Sequence, residues 1–585
     1  MAHLPSNSPA ATVIPAPSEP AEFPALTLRQ RLLGTLVLAL PVLFIYGPAF
    51  HGAWLWDDAY EIAANPILRD SSALPAIWRG VGAYDYYPLK TTIEWVLWRC
   101  WVNQPLAWHL ANVALQILSA MLLWQLLRKL RLPCAWFGAL VFAVHPLAIE
   151  SVAWIAEFKS TVSMPFALLA FGAYVDYEAT GRPAAWVRAF GWFVAAVLCK
   201  SAVIMLPVAF AVYGWWRHPR GSLRRRALAL APFFAAAFAL GLVTIAFQHG
   251  RAIGAQGVPV GDWPTRIARA GLALAFYGGK LLWPLNLMPI YPRWPVAPPA
   301  WWMFLPWVGL AVGTLVLART QQSWSRGLLA GGAMAAALLL PILGFVAMPY
   351  MEIGWVADHY AYPALPVFAA LASGAAGLLW NRISPHRHGL LAWAAAIGLG
   401  LWVAYGQSYA RIFRGPQAFW TYAYVQNPHS PMTENGVGKA YLSAGEPAEA
   451  IVHFRAALAL DPGQINARTN LGLALQQLGR RDEAIRELRK AVHLAPDYTP
   501  SLIALGGVLF EAGDTDEARA LFERAARIQP TLATADNDLG AVLARTGDLA
   551  GAAREFAAAL KLDPTLTTAR DNLERLQRAK SVVAH

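Results

Sequence analysis

Residues 465–498 read INARTNLGLALQQLGRRDEAIRELRKAVHLAPDY, one unit of a pattern that recurs along the last quarter of the chain. Prolines mark it every 34 residues, at Pro428, Pro462, Pro496, Pro530 and Pro564. The same frame holds small residues at Gly438, Gly472, Gly506, Gly540, Ala450, Ala484, Ala518, Ala552, Ala457, Ala491, Ala525 and Ala559. Small residues let two antiparallel helices approach closely, and a proline ends the second helix of each pair. The pattern therefore predicts stacked helix pairs.

This period and these small residues are the signature of the tetratricopeptide repeat. Four units cover about 431–566, and 567–579 supplies a final helix that covers the last apolar face. Such a stack presents a concave groove that binds an extended peptide or a partner protein, and a stiff spacer is the alternative. The candidate groove residues, on the first helices of their pairs, are Asn435, Arg468, Asn470 and Asp536.

The composition of the 585 residues argues against a soluble enzyme. Hydrophobic residues make up 57% and charged residues 14%, against about 25% charged in an ordinary soluble domain. The net charge of +12 comes from arginines in short clusters between apolar runs. That distribution is typical of cytoplasmic loops of a membrane protein, so membrane lipids and not nucleic acid are the expected partners.

Apolar runs near the roughly 20 residues that cross a bilayer occupy 32–50, 106–127, 134–149, 160–177, 227–247, 301–318, 327–347, 363–380 and 389–405. The segment 189–216 is basic at both ends, which predicts two short helices meeting near Lys200 on the outer side. The segment 267–288 is interrupted by charges and predicts a re-entrant or interfacial helix. With the basic clusters inside, about eleven spans result, with a cytoplasmic N-terminus and the repeats outside.

The predicted fold is thus all-α, a polytopic membrane body followed by a tetratricopeptide solenoid. We expect a disordered cytoplasmic tail over 1–27, the membrane body over 28–410, a linker over 411–430, the repeats and capping helix over 431–579, and a tail over 580–585. The three cysteines, Cys100, Cys134 and Cys199, lie in or beside apolar runs without metal-ligand spacing. They predict small core residues and no metal site or disulfide.

Two adjacent acids follow the first span, in Trp54-Leu-Trp56-Asp57-Asp58-Ala-Tyr60, ahead of Asn65-Pro66. Carboxylates at a membrane boundary are costly to bring near lipid and require a reason to be there. Either could act as a general base, or the pair could hold a cation. A solvated helix cap with aromatic interface anchors is the alternative interpretation.

Two further clusters are predicted on the same side by the topology. One is His145-Pro146 with Glu150, in which His145 and Glu150 share a helical face if the helix resumes after the proline. The other is cationic and comprises Lys200, His249, Arg251, Lys280, Arg293 and His359. A single Lys or Arg near the membrane surface commonly anchors lipid headgroups, whereas several together can bind a phosphate.

The order of these motifs resembles the transmembrane, tetratricopeptide-containing O-mannosyltransferase family, particularly its bacterial relatives. The residues that carry the resemblance are Trp56-Asp57-Asp58, Asn65-Pro66, Tyr87-Pro88-Leu89, His109-Leu-Ala-Asn112, His145-Pro146, Glu150-Ser-Val-Ala-Trp154-Ile, Cys199-Lys200-Ser201, Gln248-His-Gly250, Tyr291-Pro292 and Ala357-Asp358-His359-Tyr360-Ala-Tyr362-Pro363. They extend from about residue 50 into the repeats. The chain departs from the family pattern at Phe158-Lys159-Ser160, which replaces a more charged run, and at His359, which replaces an arginine.

The resemblance implies a GT-C fold whose first outer loop carries the catalytic acid. The co-substrate would be a sugar on a polyprenyl phosphate, mannose in the better-known relatives, and the acceptor a Ser or Thr hydroxyl of an exported protein held by the repeats. The host would be a bacterium, with the body in its inner membrane and the repeats in the periplasm. No cofactor is expected, and a divalent cation at the acid pair stays open.

On this resemblance each candidate residue has an expected role. Asp57 is the first choice as general base, with Asp58 orienting the acceptor or exchanging roles. The expected leaving-phosphate ligands are Lys200, Arg251 and His359. Residues expected to bind sugar hydroxyls or brace the loop are His145, Glu150 and Asp358.

Other functions stay open. Transfer to an envelope glycan or lipid is the nearest alternative enzyme activity. A non-catalytic scaffold that assembles an envelope machine through its repeats would tolerate loss of Asp57 and Asp58. A transporter is a further alternative, although the membrane half has no evident internal repeat.

Overall fold

The computed structural model describes residues 26–81, 83, 85–218, 221–249, 260–320 and 322–583. These residues form helices and connecting loops, without a strand among them. The predicted tail 1–27 lies outside the described residues except for its last two positions. The first helix begins directly after these, where Thr27 and Gln30 cap each other's backbone N–H groups. All-α architecture is confirmed.

The body contains helices of ten or more residues at Leu28–Tyr46, Pro88–Cys100, Pro105–Lys129, Ala135–Val144, Phe158–Thr180, Pro183–Cys199, Leu206–Arg217, Leu223–Phe247, Trp263–Leu282, Leu305–Thr320, Ser323–Leu339, Leu365–Arg382 and His388–Ala410. Several begin with a proline, which fits the first turn because the missing N–H would have no helical partner there.

Eight helical stretches among the described residues are long and apolar enough to cross a bilayer. They are Leu28–His51, Pro105–Lys129, Ile155–Thr180, Leu223–Phe247, Trp301–Thr320, Ser323–Ile342, Asp358–Arg382 and Pro385–Arg414. The pair Ala135–Val144 and Pro146–Ala153, bent by 51°, makes a ninth if it counts as one span. Its bend falls at Pro146, whose ring cannot continue the preceding helix.

Two shorter apolar helices, Pro183–Cys199 and Ser201–Arg217, meet at Lys200, where the sequence predicts a break within 189–216. Because each of these two is shorter than a full crossing requires, the described residues offer eight or nine candidate crossings, and the expected eleven stays a prediction. The helix Trp263–Leu282 is long enough to cross a bilayer, but it carries Arg266, Arg269 and Lys280 and is not among the apolar stretches, so the re-entrant or interfacial placement of 267–288 stays a prediction.

Several body helices leave apolar side chains uncovered. In Pro385–Arg414 only 6% of the residues in the most apolar stretch are buried within the protein. Leu390 and Trp393 of this helix are each 72% exposed. A helix that is apolar all round and yet uncovered by protein is stable only where lipid covers it. The protein is therefore a membrane protein.

The segment predicted as a linker contains a helix, Pro416–Gln426, which we call the linker helix. It is packed into the body through Phe419, Trp420 and Ala423, all buried. The first repeat helix contacts it at Gly436, where a Cβ would collide with the indole of Trp420. The joint between body and repeats is therefore a packed interface.

The repeat solenoid follows as helix pairs with a last single helix. Its helices are Pro431–Ser443, Pro447–Leu460, Ile465–Gln477, Arg481–Leu494, Thr499–Ala512, Thr515–Ile528, Ala533–Arg545, Leu549–Leu562 and Thr567–Val583. The recurrent glycines lie where the two helices of a pair cross. A Cβ at Gly506, for example, would lie 2.6 Å from the ring of Phe522.

Gly506→Ala is expected to lower the free energy of unfolding by about 1–3 kcal/mol, because the added methyl must displace a buried ring. The matched control is Gly507→Ala in the same helix, where a Cβ meets nothing within 4 Å. That change should raise stability by up to about 1 kcal/mol. Thermal unfolding of the full chain in detergent, followed by circular dichroism, measures both; equal melting of the two variants would contradict the helix-crossing role of Gly506.

Candidate functional site

The site forms where two loops of the body meet. The first loop, residues 47–87, precedes the helix Pro88–Cys100, and the second loop, residues 145–157, precedes Phe158–Thr180. Asp58 of the first loop is 1% exposed. Its carboxylate accepts hydrogen bonds from the backbone N–H of Leu55 at 2.8 Å and of Ala156 at 2.7 Å. Asp58 therefore fastens the two loops together.

Trp56 holds the backbone directly before the acids in an unusual conformation. Its φ is 47°, in the left-handed region that non-glycine residues seldom adopt. Such a backbone costs on the order of 1–3 kcal/mol and persists only when its surroundings over-determine it. The indole stacks on Trp154 of the second loop, with ring centroids 5.4 Å apart, and packs against Trp420 of the linker helix at 5.1 Å.

Asp57 is the acid of the pair that stays open. Its side chain is partly exposed, and its carboxylate accepts no hydrogen bond from any residue that the structure describes. Burial raises the pKa of Asp57 to about 6, aided by the negative charge of Glu61 and opposed by the positive charge of Lys159. A carboxyl group that titrates near neutral pH suits a general base.

Glu61 is compensated by two cations. Its two oxygens lie 2.8 Å from the ammonium groups of Lys90 and Lys159. Burial alone would raise the pKa of Glu61, but these cations lower it to about 2. The acids Asp57 and Glu61, four residues apart on one turn, therefore have opposite pKa shifts.

Glu61 and its two lysines belong to a longer series of ion pairs, which extends on one side into the helix Pro88–Cys100. Lys90 also pairs with Glu94 at 3.0 Å, one helical turn further on. Glu94 is fully buried, and burial raises its pKa to about 7. Lys90 therefore shares its charge between two carboxyl groups of different proton affinity.

On the other side of Glu61, the series of ion pairs continues from Lys159 to Glu157 and Lys200. The Glu157 carboxylate lies 2.7 Å from the Lys200 ammonium and 3.8 Å from that of Lys159. Ser160 donates a hydrogen bond to Glu157 and accepts one from Lys200 at 2.5 Å. All these groups except Lys159 are buried. Lys200, predicted from sequence, therefore lies within the same network as the first loop.

The last members of this charged series are His359 and its neighbours. His359 Nε2 lies 3.9 Å from Glu157, and Nδ1 lies 3.2 Å from Glu150, which also accepts the His359 backbone N–H at 2.9 Å. The adjacent Asp358 accepts hydrogen bonds from the hydroxyls of Tyr291 at 2.7 Å and Tyr409 at 3.2 Å. The predicted residues Lys200, Glu150, Asp358 and His359 are thus brought together.

His145 is placed elsewhere. Its Nε2 lies 3.0 Å from the Leu281 carbonyl, and its Nδ1 accepts the backbone N–H of Leu147 at 3.2 Å. Its ring contacts Phe368 and Trp402. Both ring nitrogens are used for local structure, so the predicted meeting of His145 with Glu150 on one helical face does not occur. Arg251 lies outside the described residues.

The four candidate groove residues mostly hold the solenoid itself. Arg468 pairs with Glu487 of its own repeat at 2.7 Å and donates to the Pro462 carbonyl at 2.7 Å. Asn470 donates to Asn435 of the preceding repeat at 2.9 Å.

Asp536 is half-buried, and burial raises the pKa of its carboxyl with a contribution from Glu555. Of the four, Asp536 is the residue whose side chain makes no hydrogen bond or ion pair with another described residue. The role of all four in binding an acceptor stays a prediction.

Sequence reasoning did not assign the connecting charges. Glu61, Lys90, Glu94 and Glu157 are assigned no role from sequence, and Lys159 enters only as part of the departure from the family pattern at Phe158-Lys159-Ser160. One signal was present: Lys90 and Glu94 stand four residues apart, the spacing of a helical ion pair, between apolar positions. No group of three or more His, Cys, Asp or Glu side chains in the described ranges is arranged to hold a metal ion.

Comparison with known families assigns the C-terminal part of the chain to a repeat family. Two models of the tetratricopeptide repeat match, at residues 441–507 and 503–566. Residues 441–566 are therefore tetratricopeptide repeats, as the 34-residue period predicts. Repeats of this kind generally bind a peptide or a partner protein.

Two curated relatives extend the likeness. The chain is 24% identical over 225 residues to the protein O-mannosyl-transferase Tmtc3 of Drosophila melanogaster, covering 32% of this chain and 24% of that protein. It is 24% identical over 161 residues to the protein O-mannosyl-transferase F38B6.6 of Caenorhabditis elegans, covering 25% and 23%. The chain thus spans about a quarter of the length of these relatives.

Solved structures match over a quarter to a third of the chain. MamA is 25% identical with a TM-score of 0.23, over 25% of this chain and 85% of its own. YrrB, described as a TPR protein with an unusual peptide-binding site, is 24% identical with a TM-score of 0.23, over 26% and 79%. TTC0263, a TPR protein of Thermus thermophilus, is 21% identical with a TM-score of 0.26, over 31% and 96%.

The opposite pKa shifts of Asp57 and Glu61 predict opposite effects on stability. Asp57 binds its proton more tightly in the folded than in the unfolded chain, so its ionisation costs stability above about pH 6 and nothing below about pH 4. Asp57→Asn should therefore stabilise the fold by about 1–3 kcal/mol at pH 7 and not at pH 4.

Glu61→Gln should have the reverse effect. Its pKa is lowered, so its contribution is complete above the unfolded value near 4.5 and is lost only as the pH falls toward 2. Removing the carboxylate leaves two cations without their partner and should cost about 3–5 kcal/mol at pH 7. Thermal unfolding of both full-length variants between pH 4 and 8 checks these signs, and destabilisation by Asp57→Asn at pH 7 would contradict the pKa of Asp57.

Proposed function

We propose that this protein is a membrane glycosyltransferase that moves a sugar from a polyprenyl-phosphate carrier to a Ser or Thr hydroxyl of an exported protein. One observation carries the proposal. The Asp57 carboxylate accepts no hydrogen bond from the described residues and has a pKa near 6, and the ammonium groups of Lys159 and Lys200 belong to the neighbouring charge network. The likeness to two O-mannosyl-transferases supports sugar transfer, with mannose as the first candidate sugar.

The reaction needs a proton acceptor and a stabilised leaving group. In the proposed step, an Asp57 oxygen takes the proton of the acceptor hydroxyl while the hydroxyl oxygen forms a bond to the anomeric carbon of the sugar. The bond between that carbon and the carrier phosphate breaks, and the phosphate leaves with the electron pair. No external oxidant or reductant is required.

Lys200 and His359 are the proposed partners of the leaving phosphate, with Lys159 beside them. Fixed positive charge in a dry site stabilises the developing negative charge without reorganising solvent. In the structure Glu157 lies 2.7 Å from the Lys200 ammonium, and Glu150 lies 3.2 Å from His359 Nδ1. A bound phosphate would share them with the carboxylates. Arg251 stays in the proposal as a third cation on sequence grounds.

Asp58 is proposed as a positioning residue. Both of its oxygens already accept backbone hydrogen bonds, from Leu55 and Ala156. An exchange of roles with Asp57 would require breaking the link between the two loops. Glu150 and Asp358, at the far end of the charge chain, are proposed to bind or brace the sugar, and His145 to brace the bend.

The proposed location is the inner membrane of a bacterium. The N-terminus would be cytoplasmic and the repeats periplasmic, on the side of the first loop. The repeats would bind the exported acceptor, which is the usual work of such a solenoid.

Asp57→Asn is expected to lower transfer about 10²–10⁴-fold, the usual contribution of a positioned general base. Cells with wild-type or variant chain at matched membrane expression are compared by mass spectrometry of exported glycopeptides. Sugar lost from particular Ser or Thr peptides only in the variant would identify both sugar and acceptor.

Asp70→Asn is the matched control, because Asp70 lies on the same loop, is exposed, and its carboxylate accepts hydrogen bonds from Ser72; its backbone carbonyl, which accepts from Trp95 and Arg99, is kept by the substitution. It should leave the glycopeptides unchanged. Unchanged glycopeptides in Asp57→Asn would contradict a protein acceptor. Envelope glycans of the same cells then decide between a different acceptor and a non-catalytic scaffold.

A further inference from the structure

The far end of the solenoid is bound to the first loop. Arg69, at the end of the short helix Pro66–Arg69, forms an ion pair with Asp563 and donates a hydrogen bond to Thr565 Oγ1 at 3.2 Å. Its other terminal nitrogen donates to the Ala63 carbonyl at 2.7 Å. One guanidinium therefore connects the turn after the fourth repeat to the loop that holds Asp57.

Asp563 is held ready for this contact. Its carboxylate accepts hydrogen bonds from the backbone N–H and the hydroxyl of Thr565, at 3.0 and 2.7 Å. The side chains of Arg69 and Asp563 are 18% and 24% exposed. A pair that is partly shielded and already oriented loses less to solvent and side-chain entropy than an ordinary surface pair.

The near end of the solenoid reaches the same loop. Gly436 of the first repeat abuts Trp420 of the linker helix, and Trp420 packs on Trp56. The first loop is thus connected to the first repeat indirectly, through Trp420 of the linker helix, and contacts the turn after the fourth repeat directly, through Arg69. Asp57 lies between these two attachment points in sequence.

We propose that Arg69 is a positioning residue, which holds the fourth repeat against the first loop so that an acceptor lying along the repeats delivers its hydroxyl to Asp57. The inference rests on the proposed function. It also defines the acceptor, because a solenoid attached at both ends receives an extended chain segment more readily than a folded domain. A short peptide that reaches Asp57 without the fourth repeat should not need Arg69.

Charge reversal tests this role with purified full-length protein and a polyprenyl-phosphate sugar. Arg69→Glu or Asp563→Arg should raise KM for an exported-protein acceptor about fivefold, with little change in kcat. The double variant, with the charges exchanged, should restore most of the loss. KM for a short Ser/Thr peptide should stay unchanged in all three.

Two control variants match these changes. Asp461→Arg alters the equivalent turn after the first repeat, where Asp461 is exposed and caps Gly463 at 2.9 Å. Arg79→Glu alters an exposed arginine of the first loop, which donates to the Pro75 carbonyl. Both should transfer sugar like the wild type.

A second measurement reports on the contact without activity. In a Cys100→Ser, Cys134→Ser background that keeps the Arg69–Asp563 pair, cysteines at the adjacent exposed positions, Asp70→Cys and Pro564→Cys, are treated with a bifunctional thiol reagent, and the cross-linked peptides are identified by mass spectrometry. A cross-link together with swap-rescued KM supports the proposal. Absence of the cross-link, or a cross-link with unchanged KM in the reversals, overturns it. Absence of wild-type transfer to any protein overturns the proposed function and with it this role, while the cross-link still reports whether the contact exists.

Discussion

The carboxylate of Asp58 is the interaction on which the rest of the site depends. It accepts backbone hydrogen bonds from its own loop at Leu55 and from the second loop at Ala156. Two loops from different parts of the membrane body are thereby brought to hydrogen-bonding distance. In the same junction Glu61 reaches Lys159, and the indole of Trp154 stacks on Trp56, whose backbone is left-handed.

The charges around this link are arranged in alternation. From Glu94 through Lys90, Glu61, Lys159 and Glu157 to Lys200, each ion lies next to one of opposite sign. Burying an isolated charge is costly, whereas neighbours of opposite sign recover part of that cost when their remaining hydrogen-bonding groups are satisfied. Asp57 stands beside this series without a bonded partner for its carboxylate among the described residues. Burial and the negative charge of Glu61 raise the pKa of Asp57, whereas Lys159 and Lys90 lower the pKa of Glu61.

Sequence reasoning predicted most of the fold because periodicity and hydrophobicity are local properties. The 34-residue period located the repeats, and the break at Lys200 followed from basic residues at both ends of one apolar run. The site was harder to predict. Asp58 looked equivalent to Asp57 in sequence, and only its backbone contact to Ala156, 98 residues away, shows a structural role.

His145 is a second residue whose surroundings could not be predicted from sequence. Its spacing to Glu150 suggested a shared helical face, but the bend of 51° at Pro146 turns the two side chains to different neighbours. The proline marks the position of the break in the sequence, but the direction in which the next helix leaves depends on packing against distant helices. The partner of Arg69 was equally inaccessible, because a repeat turn becomes an ion-pair partner only when the curvature of the whole solenoid is known.

The attachment of the solenoid at both ends has a consequence for how this chain can vary in evolution. Repeat arrays ordinarily gain and lose units by duplication and deletion, because each unit contacts only its neighbours. Here an inserted or deleted unit would turn and displace Asp563 relative to Arg69 while Gly436 stayed on Trp420. The number of units between the linker helix and Asp563 is therefore set by the dimensions of the membrane body.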